Sequence, residues 1–356
     1  MSDKVLMKGN EALAQAAICA GCRHFFGYPI TPQTELAAYM SKTMPKIGGT
    51  YLQAESEIAA INMVQGAAAA GVRAMTSSSS PGISLKLEGI SYMAGADLPA
   101  LIINVQRGGP GLGGIQPSQS DYDLATKAPG HGDLHILVFA PSSVQEMVDL
   151  VSHAFDSADK YRMPAMILAD GLLGQMMEPV VLPEKAKEPS ELPKKEWAAC
   201  GHEGERKHNI VNSLYLQPQE LEDVVKARYE RYAKIEADEQ MCEKYMTEDA
   251  DFVIVAFGAC SRIAKSAINI ARKKGIKVGL IRPITLWPFP VDALKEAAKN
   301  AKAFLSVEMN MGQMVNDVKL AIECKKPVEF FGHTGGIIPT PAEIVAKIEK
   351  MQEEIK

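Results

Sequence analysis

Short apolar segments alternate with longer amphipathic ones along most of the chain, which predicts strands followed by helices. Residues 99–105 are almost continuously apolar, as expected of a central parallel strand. In the first half, one predicted strand ends at Phe26, and others span 50–53, 72–76, 99–105, 134–139 and 164–169. The predicted helices of this half span 11–20, 32–42, 57–70 and 142–160, and another opens at Pro81.

The alternation stops near residue 183 and resumes at 251. Residues 183–197 are rich in charge and proline, which predicts a surface linker, and the amphipathic segment 219–245 predicts a helix in the same connection. Strands are then predicted at 252–257, 276–281, 303–307 and 328–331, and helices at 261–274, after Pro290, from Gln313 and from Pro341. The pattern indicates two doubly wound α/β domains, 1–182 and 251–356, joined by 183–250.

Composition supports this organisation and excludes several classes of protein. A length of 356 residues suits two domains with full cores, and a net charge of −5 argues against a general nucleic-acid or anionic-membrane surface. No segment has the pattern of a signal peptide or a membrane helix, so we expect a cytoplasmic protein. The six dispersed cysteines are neither a disulfide framework nor a cluster set. For Cys19 and Cys22, small core residues around a helix stop are favoured over a redox pair or metal site.

Two helix starts are predicted from capping chemistry. Asn10 is placed to cap the helix 11–20. In Gly27-Tyr-Pro-Ile-Thr-Pro32, proline stiffens the turn and Pro32 suits the first helical position, which puts Thr31 at the N-cap. The Thr31 hydroxyl either satisfies a free backbone donor or points to a ligand at the end of the sheet, and the plain cap is the favoured alternative.

Ligands of such sheets bind outside the carboxyl ends of the strands, which selects loops 27–31, 54–57, 77–82 and 106–120. Glu57 begins a helix that is otherwise almost uncharged, so we expect its carboxyl group at a buried interface, where it suits proton exchange with a ligand nitrogen. The helix macrodipole alone also explains an acid there. The serine run before Pro81 lacks the G-x-S-x-G of a hydrolase, so helix-start donors that contact a ligand are favoured.

The loop 106–121 contains a literal G-x-G-x-x-G at 109–114. A dinucleotide site requires an uninterrupted helix after this motif, whereas Gln116 and Pro117 follow here. We predict instead a mobile cover over an anionic substrate, with Arg107 either binding a carboxylate through two hydrogen bonds or lying on the surface. His131 and His135 fall at a strand entrance, which disfavours a metal site, and no metal ligands are predicted.

Taken together, these motifs resemble the alpha subunit of 2-oxoacid:ferredoxin oxidoreductases, the thiamine-diphosphate enzymes related to pyruvate:ferredoxin oxidoreductase. The resemblance implies a pyrimidine-binding domain followed by a transketolase-C-like domain, and it is greatest to the branched-chain enzyme that acts on 3-methyl-2-oxobutanoate (2-ketoisovalerate). It covers nearly the whole chain apart from 183–250. The residues that carry it are Tyr28-Pro-Ile-Thr-Pro32, Ser56-Glu57, Gln65-Gly66, Thr76 to Gly82, Leu98-Pro99-Ala100, Gln106-Arg107, Gly258, Arg282-Pro283, Trp287-Pro-Phe-Pro290 and Glu308 to Gln313.

The resemblance implies roles by position. Glu57 matches the glutamate that hydrogen-bonds the aminopyrimidine ring of thiamine diphosphate. Thr31 and Arg107 match residues that contact the carboxylate and carbonyl oxygens of the substrate, so Glu57, Arg107 and Thr31 are the implied catalytic residues. The further coenzyme contacts implied are Tyr28, Pro29, Ser79 and Ser80. The implied reaction is oxidative decarboxylation of a 2-oxo acid to acyl-CoA and carbon dioxide, with reduction of ferredoxin.

Two features of the family are missing from this chain: a G-D-G followed by asparagine, which holds magnesium and diphosphate, and cluster-binding cysteines. The resemblance therefore implies a beta subunit that carries the diphosphate and Mg²⁺ site, and gamma and ferredoxin-like delta subunits that bring iron–sulfur clusters. Coenzyme A is the implied co-substrate. We expect the isolated chain to bind thiamine diphosphate negligibly.

The substrate prediction depends on the loop 106–121. Arg107 is its only cation, so nothing in the loop pairs with the distal carboxylate of 2-oxoglutarate, and Leu112 and Ile115 are expected to line an apolar pocket. We predict 3-methyl-2-oxobutanoate, with 2-oxoglutarate as the alternative and pyruvate third. A noncatalytic assembly subunit remains an alternative of another class, and a transketolase-like or acetolactate-forming enzyme is disfavoured.

Overall fold

The chain folds into alternating strands and helices, as the hydrophobic pattern predicts. The structure is a computed structural model and describes residues 4–355. The strands are β1 (Val5–Lys8), β2 (His24–Gly27), β3 (Thr50–Gln53), β4 (Ala74–Ser78), β5 (Leu101–Gln106), β6 (Leu137–Phe139), β7 (Ala165–Asp170), β8 (Met177–Val180), β9 (Cys242–Tyr245), β10 (Phe252–Val255), β11 (Val278–Pro283), β12 (Thr285–Trp287), β13 (Ala303–Glu308) and β14 (Val328–Gly332). The α-helices are α1 (Gly9–Cys19), α2 (Thr34–Thr43), α3 (Glu57–Ala69), α4 (Ser80–Gly95), α5 (Tyr122–Thr126), α6 (Val144–Tyr161), α7 (Gly171–Gln175), α8 (Pro218–Asp238), α9 (Gly258–Lys273), α10 (Val291–Ala298), α11 (Met314–Ala321) and α12 (Pro341–Glu354).

The first domain is built on a seven-stranded sheet with the strand order β12-β6-β7-β5-β4-β2-β3. Neighbouring strands are parallel, except that the edge strand β12 pairs antiparallel with β6. Every residue of β4, β5 and β7 is buried, as is usual for a parallel sheet covered on both faces. The chain leaves β2 to form β3 on one side and returns to form β4 on the other. The carboxyl ends of β2 and β4 therefore flank the crevice where such sheets bind ligands.

The second domain is a smaller sheet with the order β14-β13-β10-β11-β9, in which only β9 is antiparallel to its neighbour. Helix α9 packs against α12, and α10 packs against α11. The predicted fold class, two doubly wound α/β domains, is confirmed. A separate two-stranded ribbon joins β1 to β8, which the sequence pattern did not predict. Among residues 4–355, the structure contains no helix with the length and apolarity needed to span a bilayer.

The connection between the domains differs from its prediction. Helix α8 ends at Asp238 instead of reaching residue 245, because Glu239 turns inward, where it accepts a hydrogen bond from the Tyr161 hydroxyl (2.8 Å). Strand β9 then pairs with β11 at the edge of the second sheet. Strand β12 falls within 251–356 but adds to the first sheet, with Trp287 opposite Val138. Each sheet therefore has one edge strand, β12 in the first and β9 in the second, from outside the residue range predicted for its domain.

Both predicted caps are wrong. Helix α1 begins at Gly9, one residue before Asn10, and the Asn10 amide donates instead to the Pro32 carbonyl oxygen (2.7 Å) and the Glu35 carboxylate (2.9 Å). Helix α2 begins at Thr34 with Gln33 at its N-cap, so Thr31 lies outside the helix and is exposed. The Asn10 amide thus serves a longer-range contact with the start of α2 instead of a local cap.

Candidate active site

Four loops meet at the carboxyl edge of the first sheet, as the topology predicts. The turn after β2 brings Tyr28, which is half-buried, Pro29, which is exposed, and Thr31. The loop after β3 ends at Glu57, the chain after β4 starts α4, and the chain after β5 begins at Arg107. The candidate residues are therefore gathered at one edge.

Glu57 is the first residue of α3 and is not needed as its cap. The Ser56 hydroxyl performs that function by accepting a hydrogen bond from the Ala59 amide (3.2 Å). The Glu57 side chain is buried, as predicted, with 7% exposure, and within residues 4–355 no donor hydrogen-bonds to its carboxylate. The carboxylate lies against the first turn of α4, where a Cβ atom on Gly82 would be 2.6 Å from Oε1. The absence of a side chain at Gly82 therefore makes room for this acid.

The serine run places unpaired hydroxyl groups beside Glu57. Ser78 Oγ and Ser79 Oγ are buried and have no hydrogen-bond partner in the described residues. Ser79 is the N-cap residue of α4, yet its side chain makes no cap hydrogen bond. The side chain of Ser77 points elsewhere and donates to Gln33 Oε1 (2.6 Å). Buried hydroxyls normally have partners, so this part of the site has the donors that a polar ligand requires.

Ser80 is fully engaged within the protein. Its hydroxyl donates to Asp121 Oδ2 (2.6 Å), and its Oγ lies 3.1 Å from both the amide nitrogen and the carbonyl oxygen of Arg107. Asn104 donates to the same Asp121 oxygen (2.8 Å). Burial raises the pKa of Asp121, and the hydrogen bonds from Ser80 and Asn104 lower it. Ser80 therefore fixes the backbone of Arg107, and its predicted contact with a coenzyme stays a prediction.

Arg107 and Thr31 are brought together, as expected. The Arg107 side chain is buried, with Nη1 donating to the Thr31 carbonyl oxygen (2.9 Å) and Nη2 to the Leu112 carbonyl oxygen (3.1 Å). Its Nε is buried and has no partner in the described residues. The contact uses the Thr31 main chain, which leaves the threonine hydroxyl free for another group. Arg107 therefore holds the turn at Thr31 and still has one donor, Nε, for an anion.

The glycine-rich loop folds back on itself. Gly108 N donates to the Gln116 carbonyl oxygen (3.2 Å), and Gly114 N donates to the Gly108 carbonyl oxygen (2.9 Å). Gly113 has a φ of +57°, and a Cβ atom there would lie 1.8 Å from the Gly108 oxygen, so a side chain is excluded. No helix follows until α5 at Tyr122, which agrees with the rejection of a dinucleotide motif.

An apolar pocket of about 550 Å³ opens beside Thr31, at the junction of the two domains. Ile115 lines it, as predicted, but Leu112 does not and is 83% exposed. None of the described residues that line it is charged. They are Thr31, Pro32, Ile115, Gln116, Pro117, Gly171, Leu172, Gln175, Met176 and Ile338.

The second domain fixes the far end of the glycine-rich loop. The Gln119 main chain and side chain make hydrogen bonds of 3.0 and 3.1 Å with Met309, and Gln119 Nε2 donates to the Phe257 carbonyl oxygen (2.9 Å). The Tyr122 hydroxyl donates to Asp317. Burial, followed by the neighbouring Asp317, raises the pKa of Tyr122 well above its usual range. The loop is thus held at both ends, at Arg107 by the first domain and near Gln119 by the second.

Sequence reasoning missed two buried ionisable residues near the site. Lys86 has no exposed surface and lies on α4 between Gly82 and Gly89. Asp170 ends β7 and accepts hydrogen bonds from the amides of Leu172 (2.9 Å) and Leu173 (3.0 Å). Burial raises the Asp170 pKa to about 6. The spacing of Lys86 from the two glycines was a signal in the sequence, since it puts all three on one helix face.

The remaining candidates lie in structural surroundings. Cys19 ends α1, and Cys22 is buried, which raises the pKa of its thiol to about 12. His135 stacks on Trp287 of β12, with ring centroids 4.8 Å apart, and burial lowers its pKa. His131 meets Tyr92 edge to face at 6.0 Å. The burial of Cys19 and Cys22 matches their interpretation as small core residues.

Comparison with known proteins places this arrangement among enzymes. Residues 15–249 match the family described as pyruvate flavodoxin/ferredoxin oxidoreductase, thiamine diphosphate-binding, and residues 250–344 match pyruvate:ferredoxin oxidoreductase core domain II. The ketoisovalerate oxidoreductase subunit VorB of Methanothermobacter marburgensis is 51% identical over 98% of both chains. The 2-oxoglutarate synthase subunit KorA of the same organism is 36% identical over 99% of this chain and all of that one.

A solved structure agrees over the whole chain. A 2-oxoglutarate:ferredoxin oxidoreductase from Magnetococcus marinus, with 2-oxoglutarate, coenzyme A and succinyl-CoA bound, superposes with a TM-score of 0.86 at 28% identity. The alignment covers 100% of this chain and 66% of that one. A split-gene transketolase at 14% identity and a TM-score of 0.61 shares the fold alone. The curated relatives are named as subunits, which makes this chain one subunit of a multisubunit enzyme.

Proposed function

Since this chain belongs to the thiamine-diphosphate-binding pyruvate flavodoxin/ferredoxin oxidoreductase family and is a 2-oxoacid:ferredoxin oxidoreductase subunit, we propose that it is the catalytic alpha subunit and that Glu57 binds the coenzyme pyrimidine. The observation that carries this proposal is the state of the Glu57 carboxylate. It is buried and receives no hydrogen bond from residues 4–355, although it lies at the positive ends of two helices. A buried carboxylate without a partner is costly, and a ligand nitrogen removes that cost.

The residues around Glu57 fit a thiamine pyrimidine. Ser78 Oγ and Ser79 Oγ supply unused polar groups, and Gly82 leaves the space that a side chain would fill. When bound, the coenzyme supplies the nucleophilic carbon and the electron sink for decarboxylation. Glu57 holds and exchanges a proton with the pyrimidine ring nitrogen. Tyr28 and Pro29 line the same edge, and their contacts with the coenzyme belong to the proposal.

The substrate carboxylate is assigned to Arg107. Its Nε is a buried donor that residues 4–355 leave unpaired, so binding an anion there satisfies it. The Thr31 hydroxyl is free to contact a substrate oxygen, because Arg107 fixes the carbonyl group of the same residue (2.9 Å). The folded glycine-rich loop lies against the same guanidinium, since Arg107 Nη2 donates to the Leu112 carbonyl oxygen (3.1 Å).

We assign 3-methyl-2-oxobutanoate as the substrate. The uncharged pocket beside Thr31 suits a branched alkyl group, whereas the distal carboxylate of 2-oxoglutarate would be buried there without a cation. The 51% identity to a chain named for ketoisovalerate supports the same choice. The alternative, 2-oxoglutarate, is favoured by the names of the 36% identical relative and the superposed structure. A panel of 2-oxo acids in a viologen-reduction assay distinguishes the two.

The proposed partners follow from what this chain lacks. A beta subunit carries the diphosphate and Mg²⁺ site, gamma and ferredoxin-like delta subunits carry the iron–sulfur clusters, and ferredoxin accepts the electrons. Coenzyme A is the proposed acyl acceptor, and the superposed 2-oxoglutarate enzyme has coenzyme A and succinyl-CoA bound. Isothermal titration of the isolated chain with thiamine diphosphate is expected to show negligible binding, whereas the assembled complex binds it. Tight uptake by the chain alone would contradict the shared site.

The test of the catalytic assignment is Glu57→Gln in the assembled complex, assayed with a 2-oxo acid, coenzyme A and a viologen acceptor. We expect turnover to fall by about 10²–10⁴-fold, the range for loss of a positioned acid–base group, with assembly intact. Glu55→Gln is the matched control, because Glu55 lies two residues away on the same loop and is exposed. Full turnover in the Glu57 variant would support a noncatalytic assembly subunit.

A further inference from the structure

One charged residue lies in the interface between α3 and α4. Gly82, Lys86 and Gly89 are spaced four and three residues apart, so they share the face of α4 that meets α3. A Cβ atom on Gly89 would lie 2.6 Å from Ile61 Cγ2, and one on Gly82 would lie 2.6 Å from Glu57 Oε1. The two helices therefore approach closely on either side of Lys86.

The Lys86 side chain is fully buried and weakly bonded. Its exposure is 0%, and the hydrogen bond it makes within residues 4–355 is a long one, 3.5 Å from Nζ to the Glu57 carbonyl oxygen. Burial lowers its pKa to about 8, and the charge of Glu57 acts in the opposite direction. No other charged group in the described residues contributes to this shift. A lysine in such a position costs stability, which core packing does not explain.

A lysine of the 183–250 connection shows what an ordinary structural ion pair looks like in this protein. The side chain of Lys195 is 9% exposed, and its Nζ lies 2.6 Å from Asp159 Oδ1. Lys86 has no carboxylate at that distance within residues 4–355. Its ammonium instead lies under the first turn of α3, the turn that carries Glu57. Lys86 therefore contacts the helix turn that carries Glu57, and no structural ion pair within residues 4–355 accounts for its burial.

We propose that Lys86 is a positioning residue for Glu57, whose buried ammonium holds the first turn of α3 in place through its hydrogen bond to the Glu57 carbonyl oxygen (3.5 Å). The inference rests on the proposed function of Glu57. It follows that Lys86 sets the proton affinity of the pair formed by Glu57 and the pyrimidine ring nitrogen. Removing the positive charge strengthens the binding of the shared proton, because a cation in a buried site disfavours further protonation.

The test uses the assembled holoenzyme and the circular-dichroism signal of the bound coenzyme's pyrimidine, followed as a function of pH. In Lys86→Met, the midpoint for protonation of the pyrimidine is expected to rise by about one pH unit, the scale of one charge at interior distances. Lys86→Arg restores the charge and is expected to bring the midpoint back toward wild type. Lys42→Met, on the exposed side of α2, is the control and leaves it unchanged. An unchanged midpoint in Lys86→Met overturns the inference.

A reciprocal measurement covers the case in which Lys86→Met fails to fold. Coupling between two sites is mutual, so Glu57→Gln must lower the pKa of Lys86 by a similar amount. The pKa is read from the side-chain ¹³C shift of Lys86 in a lysine-labelled complex, with the resonance assigned by its loss in Lys86→Arg. A Lys86 titration that does not move in Glu57→Gln, while that variant loses turnover, overturns this inference alone. Full turnover in Glu57→Gln overturns the proposed function, and this inference with it.

Discussion

Each domain buries a glutamate near the start of a helix, and the two carboxylates differ in how they are satisfied. Glu308 ends β13 and accepts five hydrogen bonds, from the Ser306 hydroxyl, the Asn310 amide and the first backbone amides of α11. Glu57 begins α3 and accepts none from residues 4–355. Burial is similar, at 0% and 7% exposure. Burial alone therefore does not identify a functional acid, whereas the number of hydrogen bonds that its carboxylate accepts does.

The difference has a physical reason. Glu308 accepts hydrogen bonds from the free amides at the start of α11. At the start of α3 the Ser56 side chain caps the helix, so Glu57 is not needed there. A satisfied acid stabilises the fold, and an unsatisfied one keeps its capacity for a ligand. Changes at the two sites should consequently affect different quantities, stability at Glu308 and turnover at Glu57.

The largest expected effect on stability is at Glu308. Glu308→Ala leaves five donors without their acceptor, and we expect a loss of ~3–5 kcal/mol in the free energy of unfolding, the range for breaking a buried charged network. Glu57→Ala is the matched change and should alter stability by less than about 1 kcal/mol, because within residues 4–355 no hydrogen bond to the Glu57 carboxylate is lost. Urea denaturation followed by circular dichroism measures both. Equal losses would remove the distinction between the two acids.

Asp170 sharpens the comparison, because it is buried and its hydrogen bonds within residues 4–355 come from backbone amides alone. Burial raises its pKa from 3.8 to about 6, so the folded chain holds this proton more tightly than the unfolded chain. Its contribution to stability is therefore fully present below pH 3.8 and is lost as the pH rises through about 6, a change of up to ~3 kcal/mol. Asp170→Asn lacks this titration.

Urea denaturation of wild type and Asp170→Asn at a series of pH values tests this expectation. Relative to wild type, the variant should gain stability as the pH rises from about 4 to about 7. Parallel stability curves across that window would show that Asp170 is as well satisfied as Glu308. In that case, hydrogen bonding would not distinguish one buried acid from another.

Arg107 tests the same principle with a cation. Its unused Nε predicts that Arg107→Lys, which keeps the charge but loses the planar set of donors, lowers kcat/KM for the 2-oxo acid by roughly 10–100-fold, the size of a charged hydrogen bond. Steady-state kinetics of the assembled enzyme measures this. If KM and kcat are unchanged, the role of Arg107 is only to hold the Thr31 turn.

The smallest expected effect is on substrate choice. Ile115 lines the uncharged pocket, whereas Leu112 on the same loop is exposed and lies outside it. Ile115→Ala should lower the preference for 3-methyl-2-oxobutanoate over pyruvate by about 10-fold, as expected for a smaller apolar contact, and Leu112→Ala should not. The ratio of the two kcat/KM values is the measurement. Equal ratios in both variants would exclude this pocket as the site of the alkyl group.

Hydrophobic patterning predicted the parallel strands of both sheets and the loops that form the site. The reason is that the carboxyl ends of parallel strands meet at one edge, so Glu57 and Arg107 were placed together without knowledge of any contact. Patterning also predicted two strands too early. Val72 and Ile276 still donate to the preceding helices, at Ala67 and Ala271, so β4 and β11 begin two residues later than expected.

Other features depend on partners that are distant in sequence. Asn10 has the chemistry of a cap, but Pro32 and Glu35 compete for its amide. Strand β12 has too few residues for a reliable pattern, and its pairing with β6 crosses the domain boundary. Lys86 and Glu308 are of residue types that usually lie on the surface, and only the fold shows that they are buried. Local signals do not contain that information, which explains why Glu57 was expected at a buried interface and Lys86 was not.

Residues 4–355 leave the Glu57 carboxylate without a hydrogen-bond partner, and we propose that the coenzyme pyrimidine supplies one. The most direct test is a structure of the assembled enzyme with thiamine diphosphate bound. We expect the Glu57 carboxylate to lie within hydrogen-bonding distance of a pyrimidine ring nitrogen and out of contact with bulk water. A carboxylate that faces solvent, away from the bound coenzyme, would contradict it.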